Sequence, residues 1–307
     1  MNQRVTVVAP ASSANLGAGY DVFALALRRP TDTLTLQRAE SGITLLMEGD
    51  QMDTTPRRNV VVGVTRAIMG GEGIRAGVTL RLRKGVPVGA GLGSSAASSA
   101  AAAVGMNALF DLGLDTKRLI QYAGVGERLS SGTAHYDNVA AAIVGGFVIV
   151  AGSEGFVGMK APRRLALCLA TPRVRLPPRK TEFARSLLPK HLPLAEVVDA
   201  VTSASMMVRG FSTGNLQDIG EAMLGGFVDH KRAVMIPGFE GVRKSAVRAG
   251  AFGACISGAG PTVLAAATKG KARAVLRAML RGFQEAGVQS QGFVTGVGDG
   301  CRVIERV

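Results

Sequence analysis

The sequence predicts an α+β fold, and three features lead to it. Segments that read as strands and as helices are mixed along the chain, yet they do not alternate as regular β-α-β units, which argues against a doubly wound sheet. A strand, a glycine-rich loop and a helix follow one another between Val78 and Phe110. Late in the chain, Ala254 to Leu264 reads as strand, glycine turn and strand. With 307 residues and 47% hydrophobic content, the chain can bury a substantial core, and two domains are expected.

Taken in order, Val5 to Ala9 is expected as a strand ended by Pro10, followed by a turn-rich segment from Ala11 to Asp21. Leu25 to Leu27, Thr33 to Gln37 and Ile43 to Met47 read as further strands, and Asn59 to Met69 as the first helix. Val78 to Arg83 alternates apolar and polar residues like a half-buried strand. After the loop and its helix, another helix begins at Thr116, and Gly145 to Val150 is a buried strand that closes the first domain. The second half opens with a strand at Leu165 to Thr171 and a basic, proline-rich piece at Pro172 to Lys180. Helices are expected over Thr181 to Leu188, Leu194 to Gly210, Leu216 to Val228, Gly238 to Ala249 and Lys271 to Ala286. Gln291 to Val297 and Val303 to Val307 are closing strands.

The loop in Val86 to Phe110 is the most informative stretch. Gly89, Gly91 and Gly93 alternate, Ser94 and Ser95 follow, and an alanine-rich run supplies the helix. Glycine lets backbone approach a ligand closely, and a helix start offers free N–H groups and partial positive charge. Together they suit a phosphate. The spacing G-x-G-x-G is not the dinucleotide fingerprint, and no lysine stands at the helix start as the Walker form requires. The run lacks charge, but alanine, glycine and serine gain little from lipid, so it does not read as a membrane span.

Composition narrows the class. Three cysteines, Cys168, Cys255 and Cys301, are far apart and form no CxxC pair, so no disulfide framework is indicated, and His135, His191 and His230 show no metal-ligand spacing, so no zinc site is indicated either. The N-terminus lacks the apolar core of a signal peptide, and a soluble, cytoplasmic protein with no membrane partner is expected. The net charge is +14, with basic residues gathered between Lys160 and Lys190, where Glu182 is the only acid. A nucleic-acid surface would be strengthened by stacking aromatics, and this stretch holds only Phe183. A solvated basic face or anionic small substrates explain it as well.

Two polar clusters stand out. Asn15 and Asp21 are set between glycines in the first turn segment. Glu127 precedes a turn-rich stretch that brings His135, Asp137 and Asn138 within four residues, directly before the uncharged run Val139 to Ala151. Polar groups beside a core need partners or a ligand that supplies them.

Three segments together resemble the motifs of the GHMP kinase superfamily: Pro10-Ala11-Ser12-Ser13-Ala14-Asn15-Leu16-Gly17, Pro87 to Ala96, and Ile256-Ser257-Gly258-Ala259-Gly260-Pro261-Thr262. Within it the chain is similar to the homoserine kinase family. The features shared are Ser12 to Asp21 with Ala24 to Leu27 downstream, Ala134 to Asn138 before Val144 to Phe147, and Val242-Arg243-Lys244 after Ile236 to Phe239. Ala18, Tyr20 and Ala141 or Ala142 depart from the usual pattern. The resemblance implies a two-domain GHMP kinase fold, expected here as 1–160 and 161–307. The first domain would hold a left-handed β-α-β unit and the second would be ferredoxin-like.

The resemblance also implies ATP, Mg²⁺ and L-homoserine as partners, with transfer of the γ-phosphoryl group to the homoserine hydroxyl in threonine biosynthesis, and a homodimer as a further expectation. Pro87, Gly89, Gly91, Leu92, Gly93, Ser94 and Ser95, with Lys84 nearby, would bind the ATP phosphates. Asn59 and Val61 would border the adenine, and Ser95 and Glu127 would hold Mg²⁺. Asn15, Asp21, His135, Asp137, Asn138, Thr181, Arg185, Arg243, Gly258 and Gly260 would line the amino-acid site. Asn138, Ser95 and Glu127 would be catalytic, with Asn138 orienting the hydroxyl and no strong general base at work. Other readings are a GHMP kinase for another small alcohol such as mevalonate, or a non-catalytic basic relative that binds nucleic acid. The retained glycine motifs, Ser95 and Glu127 argue against the latter.

Overall fold

A computed structural model describes residues 2–48, 59–132, 135–152 and 155–307 of the chain. Thr133 and Ala134, part of the second polar cluster, lie outside the described residues. Among the described residues seven strands form the first sheet: β1 (Arg4–Asn15), β2 (Gly19–Ala39), β3 (Ile43–Glu48), β4 (Gly77–Arg83), β5 (Phe147–Ala151), β6 (Gly155–Met159) and, from the far end of the chain, β11 (Arg302–Arg306). Its spine runs β11-β1-β2-β4-β3, while β5 pairs with the first part of β2 and carries β6. Strand β3 lies parallel to β4, joined to it through helix α1 (Val60–Gly71), which makes this a β-α-β unit.

Helix α2 (Ser94–Phe110) packs on β1 and β2 and is surrounded by α1, α3 (Thr116–Ser131) and α4 (Tyr136–Val144). Ala96, Ala97, Ala100, Ala101, Ala102 and Ala103 are all buried, so α2 meets neighbours on every side. Small side chains are what allow a helix to sit so close to other backbone, which explains the alanine run.

The second sheet has four strands, β7 (Leu165–Pro172), β8 (Gly253–Ile256), β9 (Val263–Thr268) and β10 (Ser290–Thr295), in the antiparallel order β10-β7-β9-β8. Between β7 and β8 lie α5 (Lys180–Ser186), α6 (Leu194–Thr213), α7 (Leu216–Leu224), α8 (Phe227–Arg232) and α9 (Phe239–Arg248), and α10 (Ala272–Glu285) joins β9 to β10. That strand order is the one a split β-α-β arrangement of the ferredoxin-like kind produces.

Several expectations are corrected. Strand β1 does not stop at Pro10 but continues to Asn15, with Pro10 opposite Thr31. Strand β11 covers only Val5 to Val8, so beyond that point β1 has a ladder on one side and tolerates a missing N–H. The two segments Leu25 to Leu27 and Thr33 to Gln37 are one strand, β2. The helix expected over Leu216 to Val228 breaks at Gly225 and Gly226, because Gly226 packs directly on the backbone of Gly17. The chain also does not stay in its second half after residue 160, since β11 returns to the first sheet.

The two sheets share core. Phe147 on β5 stacks on Phe211 of α6, ring centroids 4.1 Å apart and 3° from parallel, and Phe23 meets Phe147 edge-on at 5.1 Å. Among the described residues, no helix is long and apolar enough to cross a membrane. Replacing Phe211 with alanine removes the ring that ties α6 to the first sheet. A loss of about 3–5 kcal/mol is expected, read as a lower midpoint in urea unfolding with an unchanged slope.

Candidate active site

The three glycine-bearing segments meet in space. The Ser12 N–H donates to the Leu92 carbonyl at 3.1 Å, and Gly258 N–H donates to Ala14 O at 3.0 Å. The Ser257 hydroxyl reaches Ser13 Oγ at 2.8 Å and Gly91 O at 2.7 Å. Asn15 Nδ2 donates to Gly258 O at 3.0 Å. Gly91 has φ +79°, and a Cβ there would run into the Ser257 and Gly260 carbonyls. Any other residue at this position would push the loop off the turn.

This seam forms the floor of a cleft of about 590 Å³. Pro87, Gly89, Gly91, Leu92, Gly93, Ser94 and Ser95 line one side. Gly93 caps α2 at φ +62°, with no side chain on the cap, so the helix start faces the cleft with its donors. Ser95 Oγ donates to Glu127 Oε1 at 2.5 Å. The Glu127 carboxyl is buried, which raises its pKa to about 7 against the opposing effect of that hydrogen bond. Asn138 borders the same helix start, accepting from Ser12 Oγ at 2.8 Å through Oδ1. Asn59 lines the cleft too, and caps α1 by accepting from Val61 N–H at 3.0 Å.

The opposite end carries charge of both signs. The Arg185 guanidinium places one nitrogen 2.7 Å from both Asp21 oxygens and 2.9 Å from His135 Nδ1. A guanidinium only donates, so Nδ1 accepts and the ring is neutral with its proton on Nε2. Burial and Arg185 both hold the His135 pKa down. Among the described residues, His135 Nε2 and Arg185 Nε are buried without a hydrogen-bond partner. Asp137 is buried and shifted to about 6, mainly by desolvation, and its Oδ1 accepts from Asn138 N–H at 2.7 Å. Asp21 has φ +57° and Asn15 φ +70°, left-handed backbone fixed by the Asp21 N–H donating to Asn15 Oδ1 at 3.1 Å. Thr181 and Gly258 line this end as well.

Four expected positions differ. Arg243 lies outside the cleft wall, paired with Glu240 on α9 at 2.8 Å and stacked on Phe239. Arg232 takes the place expected for it: buried, it donates to Ala184 O at 3.1 Å and Gly258 O at 3.0 Å, and it lines the cleft. Tyr20 has the Arg232 and Arg185 guanidiniums each 5.3 Å from its ring centre. Val61 is turned into the core while its neighbour Val60 faces the cleft. Gly260 serves the seam and is not part of the lining; its carbonyl accepts from Lys180. Lys84 does border the cleft, yet its ammonium pairs with the fully buried Asp32 and also donates to Ser94 O and Ser98 Oγ, each at 2.9 Å.

Asp32 and Arg232 carried no signal in a single sequence. Asp32 sits in the middle of an ordinary strand, and Arg232 is one of two basic residues in a row. Through its other oxygen Asp32 accepts from Gly85 and Val86 N–H, both at 3.0 Å. One carboxylate thus anchors the lead-in to the loop on the first turns of α2.

The fold and the site define a class. The GHMP kinases N terminal domain family matches residues 59–146 and the GHMP kinases C terminal family residues 207–285. The chain belongs to the GHMP kinase family. A homoserine kinase of Natronomonas pharaonis is 41% identical over 302 residues, covering 97% of this chain and 99% of that protein. The crystal structure of homoserine kinase from Cytophaga hutchinsonii is 33% identical, with a TM-score of 0.90 over 99% of this chain and 98% of that one. Lactococcus lactis galactokinase complexed with galactose shares the fold at a TM-score of 0.74 and 18% identity.

Metal-ion chemistry fits the residues present in one form. Among the described residues no group of three or more His, Cys, Asp and Glu gathers to cage an ion. Ser95 and Glu127 offer two hard oxygens, which suits a Mg²⁺ that takes its remaining ligands from phosphates and water.

Two expected outcomes follow. Asp32→Ala leaves the buried Lys84 ammonium without its counter-charge, and a loss of about 3–5 kcal/mol is expected in thermal unfolding. The second concerns Asp229, whose Oδ2 accepts from Ile256 N–H at 2.8 Å while burial raises its pKa to about 7 despite Arg232 and Arg243 nearby. The native state therefore holds a proton that the unfolded chain has lost, and this group's contribution to stability falls as pH rises from about 4 to 7. Asp229→Asn keeps the acceptor without the charge. Its melting temperature relative to the parent protein should improve between pH 5 and pH 8, and a difference independent of pH would refute the assignment.

Proposed function

We propose that this chain transfers the γ-phosphoryl group of ATP to the side-chain hydroxyl of L-homoserine, giving O-phospho-L-homoserine and ADP, as a cytoplasmic enzyme of threonine biosynthesis. The observation that carries this reading is a single cleft with a glycine loop and uncapped helix start at one end, an acid and two arginines at the other, and Asn138 between them. The full-length likeness to homoserine kinases supports the same substrate.

The residues divide the work. The loop from Pro87 to Ser95 cradles the phosphates through backbone N–H groups. Ser95 and Glu127 would hold Mg²⁺, which supplies neutralisation of phosphate charge. Arg185 and Arg232 bind the homoserine carboxylate, and Asp21 with Asp137 takes the ammonium. The buried Arg185 Nε and His135 Nε2 then gain the partners they lack in the chain alone. Asn138 orients the hydroxyl. The hydroxyl oxygen forms the new bond to phosphorus as the bond to the bridging oxygen breaks. ADP keeps that electron pair, and the hydroxyl proton passes to solvent. Positioning and charge neutralisation account for most of such a reaction.

ADP release with ATP and Mg²⁺ is the test, run against L-homoserine, L-threonine, L-serine, mevalonate and galactose. Turnover with L-homoserine alone is expected, and turnover with mevalonate or galactose instead would sink the assignment. In the same assay, Arg185→Ala should raise the KM for L-homoserine by about 10- to 100-fold, the scale of one charged hydrogen bond, with the KM for ATP little changed.

A further inference from the structure

Resting on that reading, we propose that Lys180 is the cation that meets the γ-phosphoryl group, in the place expected for Lys84. Its ammonium donates to Gly89 O in the glycine loop at 3.0 Å and to Gly260 O in the opposite turn. It lines the cleft beside Arg232, whose guanidinium reaches Gly258 O in that same turn. Lys180 therefore stands between the loop that cradles phosphate and the arginine that belongs to the amino-acid end. A phosphoryl group passing from one substrate to the other travels through this position.

The electrostatics point the same way. Lys84 is neutralised by Asp32, whereas among the described residues no carboxylate pairs with Lys180. Its charged neighbours Arg179, just before α5, and Glu182 on it do not fill that role, since they pair with each other at 3.6 Å out in solvent. Burial, and then the like charge of Arg232, bring its pKa down to about 8. An ammonium has three N–H donors, and a half-buried one gains from a counter-charge. Two carbonyls occupy two donors and supply no net charge. A phosphate oxygen supplies both the third acceptor and the missing charge, so a triphosphate reaching past Gly89 gains more from Lys180 than a diphosphate does.

Calorimetric binding of ADP and of the non-hydrolysable triphosphate AMPPNP, each with Mg²⁺, tests this on the full chain. Lys180→Met should weaken AMPPNP by about tenfold or more and leave ADP within about twofold. Lys180→Gln keeps a donor for the carbonyls without the charge and should show the same selective loss. Lys180→Arg should recover AMPPNP binding to within a few fold. Parallel weakening of both nucleotides, or no change in either, would overturn the proposal and leave Lys180 as a tie between the loop and the turn. No homoserine is present in these titrations. A wrong substrate assignment therefore shows itself separately, as a parent protein that releases no ADP with L-homoserine.

Discussion

The architecture of the cleft depends on one close approach. At Gly91 the space where a side chain would stand is filled by the carbonyls of Ser257 and Gly260, from a turn more than 160 residues away in the chain. The contact is backbone against backbone, so there is no rotamer to absorb an error. Everything that converges on the cleft takes its position from it. The end of β1 is tied to the loop at Leu92 and to the turn at Gly258, and α2 starts two residues beyond the seam. Charged side chains reach inward from elements that are already fixed.

How those charges are matched is the second theme. The lead-in to the loop is stabilised by an internal ion pair, Lys84 with Asp32, buried and closed by backbone and Ser98. The amino-acid end holds a different kind of network, in which Arg185, Asp21 and His135 touch each other while still leaving buried donors without acceptors. The first network is complete without a ligand and therefore structural. The second is incomplete, which is the condition under which binding gains most from polar contacts.

Much of this was legible in the sequence, and the reason differs from part to part. Glycines at 89, 91 and 93 announced themselves because a close approach and left-handed backbone exclude other residues, and the alanine run of α2 reflects packing on every side. Asp21, Glu127, His135 and Asp137 were visible as polar residues at odds with apolar or glycine-rich surroundings, whereas Arg185 was visible only through the family resemblance. Asp32 was not, because alternation in a strand looks the same whether a polar residue faces solvent or a buried lysine. Arg243 and Arg232 could not be told apart either. The two lie on neighbouring helices, and only the three-dimensional path of the 233–238 connection decides which one reaches the cleft. Pro10 misled for a related reason: proline ends a strand only where a ladder needs its N–H.

The pairing of β11 with β1 has a consequence for how the protein is made. Val5 sits opposite Arg306, so the outer edge of the first sheet is finished by the last strand of the chain. On the ribosome β1 emerges first and has to wait for the whole second half, including the turn that meets Gly91, before its exposed edge is covered. During synthesis that edge is open to any extended strand nearby. The second sheet can assemble from β7 through β10 before β11 appears, so the first sheet, although it starts earlier, is closed only after the second has formed.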